Sequence, residues 1–174
     1  MTDNKKPPKQ RAPRRRTKAK AAAEPAPSAA KPEVPGEQPS LSRVLAAVPL
    51  DVRWRDLDAF NHVNNSSYLT FLEESRLQWL RTVPGEWFTE HAMPVMAAVE
   101  LHYRKSIAWP AEIDVLLSCE RLGNSSMTIG NRIVDRNDHA CVYADGTVVM
   151  VWVDPATGAA VALPDAIRAA CTVR

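Results

Sequence analysis

The segment of residues 53–80 limits the fold more than any other part of the chain, because it places a short polar turn between a strand-like stretch and a helix. Val52 and Trp54 alternate with Arg53 and Arg55, which is the period of a half-buried strand. After the turn, apolar residues recur at three- and four-residue steps, which predicts a helix with a wide apolar face. The positions on this face are Tyr68, Phe71, Leu72, Ser75 and Trp79, with Leu69 and Leu80 beside them.

The start and the end of this helix are marked by different residue types. Asn64, Asn65 and Ser66 are each suited to cap the start, since their side chains can accept a hydrogen bond from a free amide of the first turn. Pro84 disfavours helix at the residue before it, so we expect the helix to span residues 65–82. The carboxylate of Asp58 therefore lies between a strand and a helix N-terminus.

The charge of the chain is divided unevenly between two regions. Residues 1–40 hold ten Lys and Arg against four Asp and Glu, while residues 41–174 hold 12 against 16. The first region is rich in Pro and Ala and contains no aromatic residue, so it cannot bury enough surface to offset the entropy of ordering. We predict a disordered basic tail over residues 1–40 and one folded domain over residues 41–174. A solvated tail is favoured over one that contacts nucleic acid or an anionic membrane.

Cysteine and hydropathy patterns restrict the class of protein. The three cysteines, Cys119, Cys141 and Cys171, are odd in number and form no Cys-x-x-Cys pair. This pattern predicts neither a disulfide framework nor a zinc site, and it favours a reducing cytoplasm. The N-terminus has no apolar core of a signal peptide, and no apolar run approaches the ~20 residues that a membrane span needs. We therefore expect a cytoplasmic protein that is not integral to a membrane.

The rest of the chain changes to a period of two, which predicts strands that follow the helix. Gly123-Asn124 predicts a hairpin turn, and Asp145-Gly146 predicts a bulge or tight turn inside a strand. One strand before the helix and several after it predict an α+β fold, in which a curved antiparallel sheet wraps the long helix. The predicted strands cover residues 49–55, 95–105, 111–122, 126–136 and 139–153, followed by a short strand at 159–163 and a helix at 164–171.

The segment from Asp58 through His62 to Tyr68, followed by Phe71-Leu-Glu-Glu-Ser-Arg76, resembles the hotdog-fold acyl-CoA thioesterases of the 4-hydroxybenzoyl-CoA-thioesterase type. Its His-Val-Asn-Asn form is most similar to the branch that acts on long-chain acyl-CoA. The resemblance covers about residues 45–170 and excludes the tail. It implies a long helix wrapped by a sheet, homodimers or homotetramers formed by joined sheets, and an active site at the dimer interface. Many relatives carry a second histidine-bearing motif where this chain has Asn65, which leaves the subfamily's substrate open.

The resemblance assigns the catalytic carboxylate to Asp58, as general base for water or as direct nucleophile. It places the thioester carbonyl near the backbone amides around Asn64 and Asn65, where the positive end of the helix dipole stabilises an oxyanion. Without the resemblance, Asp58 is interpreted first as a purely structural turn or capping residue. His62 is expected either to orient substrate or water, or only to fix the turn. We expect no metal and no cofactor.

Other candidates concern substrate binding. Tyr68 is assigned to substrate, with core packing as its alternative, and Arg104 and Lys105 are candidates for the phosphates of coenzyme A. Trp87, Phe88 and Met93 are candidates for an acyl pocket, again with core packing as the alternative. Glu73 is the reserve catalytic carboxylate, although Arg76 three residues later favours a plain ion pair.

These assignments predict a thioesterase whose substrate is an acyl-CoA or an acyl-carrier-protein thioester. A second hypothesis is a non-catalytic protein of the same fold that binds acyl-CoA or acyl-carrier protein, since a fold does not fix a function. A third hypothesis is an adaptor that binds nucleic acid or a membrane surface through its basic tail. We expect no nucleic-acid partner beyond weak contacts of that tail.

Overall fold

The computed structural model describes residues 43–172, so the predictions for the tail at residues 1–40 lie outside the described residues. The predicted order of elements is confirmed: a strand, a long helix, four strands and a terminal helix. The strands are β1 (Arg43–Asp51), β2 (Met93–Tyr103), β3 (Glu112–Leu122), β4 (Ser126–Asp135) and β5 (Val142–Val153), and the helices are α1 (Asn65–Leu80) and α2 (Asp165–Thr172).

The five strands form one antiparallel sheet in the order β1-β3-β4-β5-β2, which is the predicted α+β architecture of the hotdog fold. Alternate residues of β3, from Ile113 to Cys119, are fully buried, as the period of two predicted. Helix α1 buries its apolar face in the same core through Tyr68, Phe71 and Trp79. Neither helix of residues 43–172 combines the length and the apolarity needed to cross a bilayer.

The first strand differs from its prediction at residues 49–55. Strand β1 ends at Asp51, and residues Trp54–Asp56 form a single turn of 3-10 helix. The Asp56 carboxylate closes this turn, because it accepts hydrogen bonds from the backbone N–H of Arg53 at 2.8 Å and from the Arg53 guanidinium at 3.0 Å. Trp54 is consequently 70% exposed instead of lying on a buried strand face.

The predicted bulge at Gly146 is wrong. Strand β5 runs through this position in regular register, with Gly146 opposite Leu101 of β2 and Asn131 of β4. A Cβ atom at residue 146 would collide with the backbone carbonyl of Glu100. Glycine is therefore required by the close approach of two backbones and not by an irregular turn. The short strand expected at residues 159–163 is reduced to one bridge, between Val153 and Ala160.

Strand β2 forms one edge of the sheet and is poorly covered by α1. Met96 pairs with Met150 and Val99 pairs with Val148, and both β5 partners are buried, so these two β2 side chains point to the helix side of the sheet. Met96 is nevertheless 53% exposed, and Val99 and Tyr103 are also exposed. The open edge of β2 thus adjoins an apolar groove between that strand and α1.

Candidate active site

Asp58 lies in a tight loop that holds its carboxylate in one orientation. Its Oδ1 accepts hydrogen bonds from the backbone N–H of Phe60 at 2.8 Å and of His62 at 3.2 Å, while its own N–H donates to the His62 carbonyl at 2.7 Å. Asn61 has a φ of 59°, in the left-handed region that asparagine tolerates, and this closes the loop. Within residues 43–172, Oδ2 accepts no hydrogen bond, so this oxygen remains available to a substrate or a water molecule.

The same loop is anchored to the segment between β2 and β3. Leu57 and Val63 form a bridge across the loop, and His62 bridges to Ala108. The N–H of Val63 donates to the carbonyl of Ile107 at 2.8 Å. His62 therefore fixes the turn through its backbone, and its exposed ring forms no hydrogen bond with another described residue. The described part of the chain also contains no group of three or more His, Cys, Asp or Glu side chains placed to hold a metal ion.

Asn64 is the residue that caps α1. Its Oδ1 accepts from the backbone N–H of Ser66 at 2.9 Å and from the Ser66 hydroxyl at 2.8 Å. The N–H of Ser67 donates to the Asn64 carbonyl at 2.8 Å, and the N–H of Asn64 itself donates to the carbonyl of Asp56 at 2.8 Å. The backbone N–H of Asn65 is left without an acceptor in residues 43–172. One donor at the positive end of α1 is therefore free to bind an oxyanion.

Asp56 holds the start of α1 in place, because its backbone carbonyl accepts hydrogen bonds from the Asn64 N–H at 2.8 Å and from the Ser67 hydroxyl at 3.0 Å. Its side chain is buried. Burial acts to raise the pKa of Asp56, but hydrogen bonds from the side chain and backbone of Arg53 outweigh burial and hold the pKa below its usual value. The Asp56 carboxylate is thus paired with Arg53, and this pair stabilises the turn that precedes the site.

We expect Asp56→Asn to lower the free energy of unfolding by about 1–2 kcal/mol at neutral pH, because the amide forms weaker hydrogen bonds with Arg53 than the carboxylate does. Since the folded pKa is depressed, the carboxylate's contribution is present above the unfolded pKa and is lost as the pH falls through the folded pKa. Urea titrations at neutral and acid pH measure this free energy of unfolding, and the difference between variant and wild type should shrink in acid.

Asp51→Asn is the control, because the Asp51–Arg136 pair is exposed on the Asp51 side and should contribute little. An equal loss at both pH values would contradict the assignment.

Two tyrosines link α1 to the edge strand. Tyr68 is buried, as its core alternative required, and burial raises its pKa. Its ring packs edge-to-face against Tyr103, with centroids 5.0 Å apart. The Tyr103 hydroxyl donates to the backbone carbonyl of Asn65 at 3.2 Å. Sequence reasoning missed Tyr103, which attaches the end of β2 to the start of α1, because its partners lie 35 and 38 positions away.

The cavity that contains Asp58 has an aromatic wall. Its volume is about 560 Å³, and Trp54 and Trp109 line it together with loop residues 57–59 and Asn61. The two indole rings are perpendicular, with centroids 5.5 Å apart, and both are substantially exposed. Trp109 was not identified from the sequence, because nothing in its local pattern connects it to Trp54, which lies 55 positions earlier.

The two predicted phosphate-binding residues differ in whether their charged groups are already paired with a carboxylate. Arg104 donates two hydrogen bonds of 2.9 Å to the Asp145 carboxylate, and this ion pair raises its pKa. Lys105 keeps an exposed ammonium, whose contacts are the Cys141 thiol at 3.3 Å and the face of the Tyr143 ring. Neither residue lines the cavity around Asp58. Lys105 is therefore better placed than Arg104 to meet an additional anion.

A second cavity, which we call the helix–strand pocket, lies between α1 and the start of β2. It has a volume of about 310 Å³ and brings together the three residues considered for an acyl pocket, Trp87, Phe88 and Met93. Glu73 and Arg76 also line it, so the reserve catalytic carboxylate belongs to this pocket and not to the cavity of Asp58. The other lining residues are Leu77, Leu80, Pro94, Met96 and Met150.

Comparison with known proteins places this geometry in a family. The model of the thioesterase-like superfamily matches residues 52–171. A putative acyl-CoA thioesterase from Xanthomonas campestris is 48% identical, with a TM-score of 0.61, and the match covers 65% of this chain and 96% of that one. A putative thioesterase from Pseudomonas aeruginosa is 34% identical, with a TM-score of 0.67 and coverage of 74% and 98%.

A further relative, which is named by its activity, is similar over nearly its whole length. The long-chain acyl-CoA thioesterase FadM of Escherichia coli is 29% identical over 121 residues, which cover 68% of this chain and 91% of FadM. The family match extends over more than half of the chain and includes the loop of Asp58, the capped start of α1 and all four strands after it. The chain belongs to the thioesterase-like superfamily, and it is a thioester hydrolase of the hotdog fold.

Proposed function

We propose that this protein hydrolyses acyl-CoA thioesters to a carboxylic acid and free coenzyme A. The observation that carries the proposal is that one polar turn holds both Asp58, whose Oδ2 accepts no hydrogen bond, and a helix start whose Asn65 amide lacks a partner among the described residues. The loop between them is short and is closed by the bridge from Leu57 to Val63. Similarity to relatives that are named as acyl-CoA thioesterases supports coenzyme A as the thiol.

The chemistry needs a base or nucleophile and a site for negative charge on the carbonyl oxygen. With Oδ1 of Asp58 held by two backbone amides, Oδ2 can take a proton from water as that water attacks the carbonyl carbon, or it can attack the carbon itself. The N–H of Asn65 and the α1 dipole would stabilise the oxyanion. The C–S bond then breaks, and the thiolate leaves without strong help from a general acid, because a thiol is far more acidic than an alcohol. If Asp58 has attacked the carbon directly, water then hydrolyses the resulting acyl–Asp58 anhydride, which releases the carboxylic acid and restores the carboxylate.

We further propose that two copies join along the exposed edge of β2, as the resemblance implied. A two-fold axis makes the pairing of the two β2 strands antiparallel, and the apolar side chains exposed along β2 suit burial against a second copy. If the axis passes near the strand centre at Ala98, then Met93 lies opposite Tyr103 of the second copy. Since Tyr103 contacts the start of α1, this pairing places the helix–strand pocket of one copy beside the Asp58 site of the other.

A thiol-release assay over a panel of acyl-CoA substrates tests the proposed function. We expect release from long-chain acyl-CoA to exceed release from short-chain acyl-CoA, because the helix–strand pocket is lined mainly by apolar side chains. The panel should include an aromatic acyl-CoA, since the two indole rings flank Asp58. Binding of these thioesters without any release of thiol would refute hydrolysis and would favour the non-catalytic hypothesis.

A further inference from the structure

Arg76 is a charged side chain in an apolar cavity. It lies in the second half of α1, is only 8% exposed and lines the helix–strand pocket. Within residues 43–172 its guanidinium forms no hydrogen bond and no ion pair. By contrast, the guanidinium of Arg53 is bonded to Asp56, that of Arg104 to Asp145 and that of Arg168 to the carbonyl of Asn124. The donors of Arg76 therefore remain available to a molecule in the pocket.

The Arg76 side chain is mostly buried, and its guanidinium reaches solvent only at the pocket, so it loses part of its hydration without gaining a protein partner. Nearby groups offset that cost only in part. Burial lowers the pKa of Arg76, and the carboxylate of Glu73 acts in the opposite direction without reversing the shift. Glu73 is exposed, so water screens its interaction with the guanidinium. An anion inside the pocket would be less screened, and a carboxylate matches the planar donor pattern of arginine with two parallel hydrogen bonds.

We propose that Arg76 is a specificity residue that binds a carboxylate at the far end of the acyl chain, so that the preferred substrates are thioesters of dicarboxylic acids. This inference rests on the proposed function. The pocket volume of about 310 Å³ suits part of a small molecule and not a protein segment. Its apolar wall, formed by side chains such as Leu80 and Met150, would contact the methylene chain. Arg76 would then neutralise the terminal charge that an entirely apolar pocket would reject.

The test compares dodecanoyl-CoA with the CoA monothioester of dodecanedioic acid. For the wild type we expect a higher kcat/KM with the carboxylated substrate. In Arg76→Met we expect the ratio of the two kcat/KM values to fall by about 10- to 100-fold, which corresponds to the loss of a charge-assisted hydrogen-bonded pair. Arg76→Lys should restore part of the ratio, and Arg81→Met, which removes an exposed guanidinium outside the pocket, should leave it unaltered.

Three outcomes would overturn the inference. The first is an unchanged ratio in Arg76→Met, and the second is a preference of the wild type for the plain acyl chain. The third is that Arg76→Met keeps the ratio but no longer dimerises, as measured by light scattering. That result would mean that Arg76 binds a carboxylate of the second copy. Calorimetric binding of free dodecanedioic acid provides a readout that needs no turnover. If the acid binds the wild type and not Arg76→Met while no thioester is hydrolysed, then the proposed function fails and the carboxylate site stands.

Discussion

Replacing Asp58 with asparagine is expected to reduce the release of thiol from acyl-CoA by about 1000-fold, within the range by which a positioned acid or base accelerates a reaction. Asparagine keeps an oxygen that can accept from the backbone N–H groups of Phe60 and His62, so the loop should retain its conformation. What it lacks is a basic or nucleophilic oxygen in the position of Oδ2. The melting temperature should therefore change by less than about 2 °C, while kcat is nearly abolished.

Glu73→Gln is the matched control for this experiment, since Glu73 is the other carboxylate considered for catalysis. It lines the helix–strand pocket and not the cavity around Asp58 of the same copy, so we expect its replacement to keep most of the activity on plain acyl chains. Steady-state kinetics of both variants decide between the two residues. An active Asp58→Asn enzyme together with an inactive Glu73→Gln enzyme would transfer the catalytic role to the helix carboxylate.

The second large effect concerns a dimer with two different subunits, one carrying Asp58→Asn and the other carrying Leu77→Trp. Leu77 lines the helix–strand pocket and is partly exposed, so an indole at this position should fill the pocket and block long acyl chains. If each site combines Asp58 of one copy with the pocket of the other, the mixed dimer has one site with both defects and one intact site. We expect about half of the wild-type activity per dimer, although each parent homodimer is nearly inactive.

Coexpression with two affinity tags, followed by successive purification on both tags, isolates the mixed dimer. Light scattering and thermal melting of the two homodimers show whether each variant still folds and associates. Activity of the mixed dimer that only equals the mean of the two homodimers would mean that Asp58 and the pocket act within one subunit. A wild-type protein that is monomeric in light scattering would refute the proposed pairing of two copies along β2.

Local patterns were sufficient for much of the fold and for the position of the candidate carboxylate. The apolar spacing from Tyr68 to Leu80 predicted α1, and the alternation along β3 identified its buried face, because neighbours in sequence decide which side of a helix or strand is apolar. The polar turn placed Asp58 just before α1 for a similar reason, whereas its catalytic role was implied by the family resemblance. A helix start needs a cap, and Asn64 was one of three candidates that the local sequence supplied.

Local patterns failed where a contact outside the pattern changed the environment, whether the partner was near or far along the chain. The alternation over residues 52–55 predicted a strand, but the Asp56 carboxylate folds this stretch into a 3-10 turn. The phosphate-binding role considered for Arg104 took no account of Asp145, which lies 41 positions later on the neighbouring strand and engages the guanidinium. Gly146 was interpreted as a bulge because a sequence does not show how closely two strands approach.

The sequence by itself determined the elements, their order and the carboxylate at the start of α1, since these depend on residues within about one helical turn or one strand of each other. Only the tertiary structure decided that Trp54 and Trp109 share the cavity of Asp58, that Tyr103 attaches β2 to the start of α1, and that the mostly buried Arg76 has no ion-pair partner in the described chain. Each of these features depends on packing between residues far apart in the chain, which no short sequence pattern encodes.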